Sequence, residues 1–503
     1  MIANMLNRYF WALIFTLFLF SRFINLKIIP IFTDEAIYSY WAQVALHDPE
    51  NRYISLVDGK QPLFIWISAV LQKFISDPLI ATRTTSIISG LFAVIGIYLL
   101  SKELFNTKVA KISALLYIIL PFTLLYDRLG IYDSLLTMLG IYSTYFSVKM
   151  AKEPRLDMAL LNGISIGLAL ITKSSGFFFL LLIPTALIIF DFKNKKAKIN
   201  FFRWILLSSA SVFIAQIIYN SLRLSPYFYI IAQKNSQFIR SFSEVLQKPF
   251  LLLTSNSATI TSWLTSYLGI PLIILFVLGT AYFIYKGEKR VLILLLYILF
   301  PFSVEIIFNN VLYPRFVLFY FPYIIIIISL ILVRLFYFKN KRQKLLKYTL
   351  ALIFVFPVSN SILLLLSPTN AKIANSDAGQ YLNDWPSGFG VSEAVELIKK
   401  SQVNGSVYVG TEGTFGLLPY ALNIYFYSQQ NVQIQGFWPV DPQNLPSGVL
   451  EAANIRKTYF VFNENQKEIN NNRLKFIAKY QKGSGNSFMR IYEVKAEKDY
   501  GKN

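Results

Sequence analysis

The strongest constraint in this sequence is the recurrence of apolar runs of about 18 to 20 residues, nearly free of charge and separated by short basic segments. In lipid, only a helix satisfies the backbone N–H and C=O groups of such a run from within the run itself. A polytopic α-helical membrane protein follows, and a mean hydropathy of +0.48 with only 15% charged residues agrees. Spans are expected at 9–26, 84–101, 109–126, 131–148, 156–172, 176–190, 203–222, 267–285, 291–308, 316–336 and 347–366. That is roughly eleven transmembrane helices. The first run follows Arg8 and has no small-x-small cleavage site, so it reads as a retained anchor. The shorter run 63–75, broken by Gln72 and Lys73, reads as a helix lying flat in the interface.

A formal net charge of +21 raises the possibility of nucleic acid, but the cations lie mostly between apolar runs and so act as topology signals. The basic segments are 102–111, 149–155, 193–203, 286–290 and 339–347. Placing them in the cytoplasm puts the amino terminus inside and the carboxyl terminus outside the cytoplasmic (plasma) membrane. The outer side then receives the loops 27–83, 127–130, 173–176, 223–266 and 309–315, with everything after Ser367. Cysteine is absent, which excludes disulfides and thiolate metal sites. His47 is the single histidine, so no His-based metal site forms, and no metal or cofactor is expected.

Two domains are expected: a transmembrane domain over 1–368 and an extracytoplasmic α/β domain over 369–503. In the latter, strands are read at 407–409, 432–437, 459–462 and 489–494, and a helix at 392–400. The glycine-rich stretch Gly410 to Gly416 lacks the Lys-Ser/Thr ending of a phosphate loop and reads as an ordinary turn. Within the loop 223–266, apolar residues at helical spacing with Lys234, Arg240 and Lys248 between them indicate an interfacial helix, either a lid or a passive surface element.

In so apolar a chain, charges at the outer face carry the functional information. The first outer loop holds Asp34-Glu35 at the start of an amphipathic segment, then Gly59-Lys60-Gln61-Pro62-Leu63. Asp34 could also serve as a helix cap. The next outer turn supplies Arg128 and Asp133, the latter another candidate cap, and Lys173 and Tyr313-Pro314-Arg315-Phe316 lie on the same side. Lys173 and Arg315 also suit interfacial snorkelling.

In order and sidedness these motifs resemble the GT-C superfamily of membrane glycosyltransferases, in particular protein O-mannosyltransferase-like and aminoarabinose-transferase-like enzymes. Relatives often carry Pro-Pro where this chain has Gln61-Pro62, and Arg-Tyr where it has Arg315-Phe316. The resemblance implies a polyprenyl-phosphate sugar donor, no nucleotide sugar, and Asp34 as the acidic catalytic residue. The chemistry agrees: the acceptor hydroxyl needs a base, and the departing phosphate needs cations. Asp34 is the expected base, with Glu35 and Asp133 beside it. Lys60, Arg128, Arg315 and Lys173 are the expected phosphate ligands. The acceptor, whether lipid, protein or glycan, is open, and inversion at the sugar is expected. Rival readings are a lipid or sugar transporter or flippase, whose charges would sit near the bilayer midplane, and an oligosaccharide ligase.

Overall fold

A computed structural model describes residues 9–336, 343–463 and 469–497. Every expected span falls on helix, and the breaks between helices follow from glycine and proline. Thr107–Ile119 and Pro121–Asp127 meet at 63°, where Pro121 removes a donor and restarts the helix. Leu253–Leu268 and Ile270–Tyr285 meet at 111° about Gly269, whose φ of 78° suits a residue without Cβ. Among the described residues, four helices are long and apolar enough to cross a bilayer by themselves: Pro78–Leu104, Ala197–Leu224, Lys289–Phe308 and Tyr348–Leu366. The two bent pairs raise this to six. The other expected spans are shorter apolar helices, among them Phe10–Phe23, Leu156–Leu170 and Phe321–Phe336, or, for Asp133–Lys152, a more polar one. Counting apolar residues from sequence overstates helix length, because the runs continue through the turns that end the helices.

Burial separates the helices that face lipid from those inside the bundle. Of the most apolar window in Ala197–Leu224 only 17% is buried, against 67% for Pro78–Leu104. The exposed side of the first carries Ile199, Phe202, Leu206, Phe213 and Ile217, which only a hydrocarbon surround makes favourable. Pro78–Leu104 instead buries Thr82, Thr85, Ser86 and Ser89, whose hydroxyls bond to backbone carbonyls or to neighbouring side chains. The run read as lying flat is the helix Leu63–Gln72.

The C-terminal domain is a five-stranded sheet of β1 (Val407–Glu412), β2 (Val432–Phe437), β3 (Lys457–Phe462), β4 (Leu474–Gln481) and β5 (Phe488–Val494), in the order β2-β1-β3-β5-β4. β1 pairs in parallel with β2 and β3, while β5 runs antiparallel to β3 and β4. Val391–Gln402 and Tyr420–Phe426 cover one face, and Ser447–Ile455 packs on the other. The glycine-rich stretch ends β1 and turns, with Gly413 and Gly416 at φ of 111° and 120°.

This domain is stitched to the helix Thr33–His47. The Thr33 backbone N–H and hydroxyl both donate to the Pro386 carbonyl, at 3.0 and 3.2 Å. Gln43 Nε2 donates to the Ile424 carbonyl at 2.8 Å, and the Tyr40 and Tyr420 rings stack with centroids 4.6 Å apart.

Candidate active site

Five of the seven charged residues singled out in the sequence gather at the end of the bundle that the C-terminal domain covers. Asp34 lies in the first turn of Thr33–His47, with Phe32 at the N-cap, so its carboxylate is free to reach across the bundle. It accepts from Arg315 Nη1 at 2.5 Å. Arg315 is presented by the one-turn helix Pro314–Val317, where Pro314 fixes the start. The pair is partly accessible, with side chains 22% and 11% exposed. Burial alone would raise the Asp34 carboxyl, but Arg315, Lys60 and Lys173 together hold it below the ordinary value. The same carboxylate, outweighing burial, keeps Arg315 firmly protonated.

Asp133 opens the helix Asp133–Lys152 and pairs with Lys173 at 2.7 Å, rather than capping its own helix. Lys173 Nζ also stands 4.3 Å from the centre of the Phe316 ring. Lys60 makes no ion pair among the described residues and lies 5.9 Å from the Phe238 ring centre. Burial lowers the Lys60 ammonium below its ordinary value, with Asp34 and Asp58 opposing and Arg315 and Lys173 adding to the shift. Three cations, Lys60, Lys173 and Arg315, thus face two carboxylates, Asp34 and Asp133. The excess is one positive charge, and it belongs to the residue without a partner.

Two expected site residues are not brought into this cluster. Glu35 is fully buried and saturated. Its Oε1 accepts from Gly130 N at 2.6 Å and Arg83 Nε at 2.8 Å, and its Oε2 from Arg83 Nη2 at 2.7 Å and Phe32 N at 3.3 Å. Arg83 spends its other N–H groups on the carbonyls of Leu26, Ile29 and Pro30. Arg128, 2% exposed, donates to the carbonyls of Ser21, Arg22, Ile24 and Asn25. These are the orphan acceptors just at and beyond the end of Phe10–Phe23, so Arg128 is a C-terminal cap and not a free cation.

Sequence reasoning missed a buried carboxyl beside the cluster. Asp377 sits in Asn375–Ala378, just after the last long helix. Its Oδ2 accepts from Tyr126 Oη at 2.7 Å and from Tyr267 Oη, while its Oδ1 has no partner among the described residues. Burial pushes Asp377 up to about 7, against the two tyrosine bonds and the charge of Arg315. Tyr132 stands edge-on to Tyr38 at 4.6 Å, and its hydroxyl is buried without a partner among the described residues. In the sequence Asp377 looks like any acid in a polar segment, and nothing local marks it. Among the described residues no group of three or more metal-type ligands converges.

The loop 223–266 roofs this end. Its helix Ile230–Phe238 places Lys234 against Asp58 at 2.6 Å, and Asn235 Nδ2 donates to Ser174 Oγ at 3.0 Å. Gln61 Nε2 reaches the same hydroxyl at 2.8 Å. Arg240 N donates to the Phe308 carbonyl at 2.7 Å, tying the roof to the segment before Arg315.

Residues 59–219 match the family described as dolichyl-phosphate-mannose-protein mannosyltransferase. Among solved structures, the chain is similar along nearly its whole length to ArnT from Cupriavidus metallidurans. In the apo state the identity is 12%, with 98% of each chain covered and a TM-score of 0.55. Bound to undecaprenyl phosphate it is 14%, with 96% of this chain and 98% of that one covered and a TM-score of 0.57. The chain has the GT-C fold. The archaeal oligosaccharyltransferase AglB from Archaeoglobus fulgidus, in complex with an inhibitory peptide and a dolichol-phosphate, matches at 11% identity. That alignment covers 90% of this chain and 70% of the other, with a TM-score of 0.52. No curated protein matches in sequence. The GT-C likeness includes the C-terminal sheet, since the ArnT alignments take in almost all of the chain.

Proposed function

We propose that this integral membrane protein is a glycosyltransferase that moves a sugar from a polyprenyl-phosphate carrier to an acceptor hydroxyl, at the bilayer face covered by the C-terminal domain. That face is extracytoplasmic in this reading, because the basic segments lie at the opposite helix ends. The observation that carries the proposal is the Asp34–Arg315 pair at 2.5 Å with Lys173 nearby and Lys60 uncommitted beside it. This is a base already ionised, next to a spare positive charge suited to a phosphate. The family match, and two structural neighbours that hold undecaprenyl phosphate and a dolichol-phosphate, support the donor class.

The roles follow from the geometry. A phosphate arriving at Lys60 and Lys173 competes with Asp34 for Arg315, and as the guanidinium turns to it Asp34 is released. Asp34 then takes the proton from the acceptor hydroxyl while its oxygen attacks the anomeric carbon. The anomeric C–O bond breaks, its electron pair leaves with the polyprenyl phosphate, and the cations hold the added charge. A single displacement inverts the configuration. No separate acid and no metal take part in this reading, because organic cations already meet the leaving group. Charge clustered at helix ends, rather than at the midplane, supports transfer over transport.

The test is turnover by the purified protein, given a polyprenyl-phosphate sugar and envelope acceptors. Product that forms in chelator, and weakens with Lys60→Gln and Arg315→Gln, is expected. Full activity from a nucleotide sugar without lipid carrier, or a divalent-ion requirement, overturns the mechanism. Reporter fusions after Ser367 check the sidedness, and an active cytoplasmic reporter there reverses it.

A further inference from the structure

We infer that the C-terminal domain carries a second binding site, separate from the transfer chemistry, for an acidic saccharide. Beside the β4–β5 ribbon lies a groove of ≈ 700 Å³, among whose lining residues are Phe476, Lys479, Arg490, Tyr492, Lys495 and Asn472. Three cations line it, and no Asp or Glu does among the described residues. Arg490 is 5% exposed, yet among the described residues its guanidinium has no hydrogen-bond acceptor, Nη1 is buried, and the Phe488 ring lies 5.1 Å away. A buried guanidinium without acceptors is costly. Lys479 is the direct cross-strand partner of Arg490, and like charges facing each other on adjacent strands add to that cost. A bound anion relieves both.

The rest of the groove selects the kind of anion. Phe476 is 55% exposed and meets Tyr492 edge-on at 5.6 Å, giving a ring surface for the C–H face of a sugar. The exposed amide of Asn472 supplies a donor and an acceptor at the rim, suited to hydroxyls. A lipid surface would call for a flat, exposed basic face, whereas here the most buried cation lies at the bottom of an aromatic-walled groove. The occupant is therefore a sugar chain bearing carboxylate or phosphate, met at the face where this domain stands. The site's occupancy does not depend on the transfer reading, because binding can be measured without turnover.

The experiment uses the full-length protein in detergent and calorimetry with four probes: an oligogalacturonate, a sugar phosphate, a neutral malto-oligosaccharide of matched length, and inorganic phosphate. One or both acidic saccharides should bind, and which of them binds identifies carboxylate or phosphate as the charge. Lys479→Gln and Arg490→Gln should each weaken that binding about tenfold, and Phe476→Ala by a similar factor. Phe476 and Lys479 are exposed, so their variants keep the fold if Arg490→Gln does not. Neutral sugar should bind far less, and raising salt should weaken the acidic probes. No binding by either acidic saccharide, equal binding by wild type and Phe476→Ala, or inorganic phosphate binding as tightly as the saccharides overturns the proposal. Binding that appears only with anionic lipid vesicles also overturns it.

Discussion

Asp34 and Glu35 are adjacent, equally acidic and on one helix turn, yet the structure puts them to opposite uses. Asp34 meets a single cation at the accessible end of the bundle. Glu35 is sealed from solvent with four donors on its two oxygens. The cations divide the same way. Arg315 and Lys60 stand at the cluster, whereas Arg22, Arg83 and Arg128 are buried, with Arg22 paired to Asp127 at 3.0 Å and donating also to the Ser21 hydroxyl and to the carbonyls of Tyr117 and Ile118. A saturated buried charge holds segments together. One with spare capacity and access to solvent can exchange partners with a ligand.

The sharpest break of this comparison is Asp34→Asn. The variant should fold, bind donor and lose turnover by about a hundredfold to ten-thousandfold, the usual cost of removing a general base. Near-normal turnover by a folded protein would remove Asp34 from the chemistry. Glu35→Ala should act on stability instead, because it leaves Arg83 buried without its carboxylate, at a cost of about 3–5 kcal/mol. Thermal unfolding in detergent checks it, and a stable Glu35→Ala protein with slow chemistry would reverse the division. Arg128→Gln should cost about 1–3 kcal/mol through orphaned carbonyls, with donor KM unchanged in the surviving folded fraction. A selective rise in donor KM would return Arg128 to the phosphate.

The smallest expected effect concerns Asp377. Its folded value is raised to about 7 from 3.8, so the protonated form is the one folding favours. The folded state then holds more protons between those values, and this group's stabilisation is full in acid and lost as pH rises through 7. Wild type should lose melting temperature between pH 5 and pH 8 more than Asp377→Asn does. Equal slopes in the two proteins would show that the two tyrosine bonds hold an ordinary carboxylate. Asp34, being lowered, works in the other direction: its contribution is present above the ordinary carboxyl value and fades in acid.

The bundle, its helix positions and the Asp34–Lys60–Asp133–Lys173–Arg315 group were legible in the sequence, because charge is conspicuous in apolar runs and sidedness brings loops together. Which charge is saturated was not legible, since that depends on carbonyls such as those of Ser21 and Pro30, to which every residue type contributes alike. Arg83 sat at the border of an expected span and gave no sign of its five hydrogen bonds, three of them to carbonyls of the loop before Thr33. β4 was missed because Leu474-Lys-Phe-Ile-Ala-Lys-Tyr-Gln alternates imperfectly, with a register shift between Phe476 and Ala478. Asp377 needed two tyrosines from distant helices to become visible.

The stitch between Thr33 and Pro386 has a consequence in time. Its partners lie 353 residues apart, so the anchor for the Asp34 helix is made only when most of the chain has been synthesised. At about 5–20 residues per second, the helix waits on the order of 20 to 70 seconds for it. The membrane helices are laid down during that interval, and only after the last of them does the strap arrive that sets the first turn of Thr33–His47, so competence for chemistry is among the last properties the chain acquires.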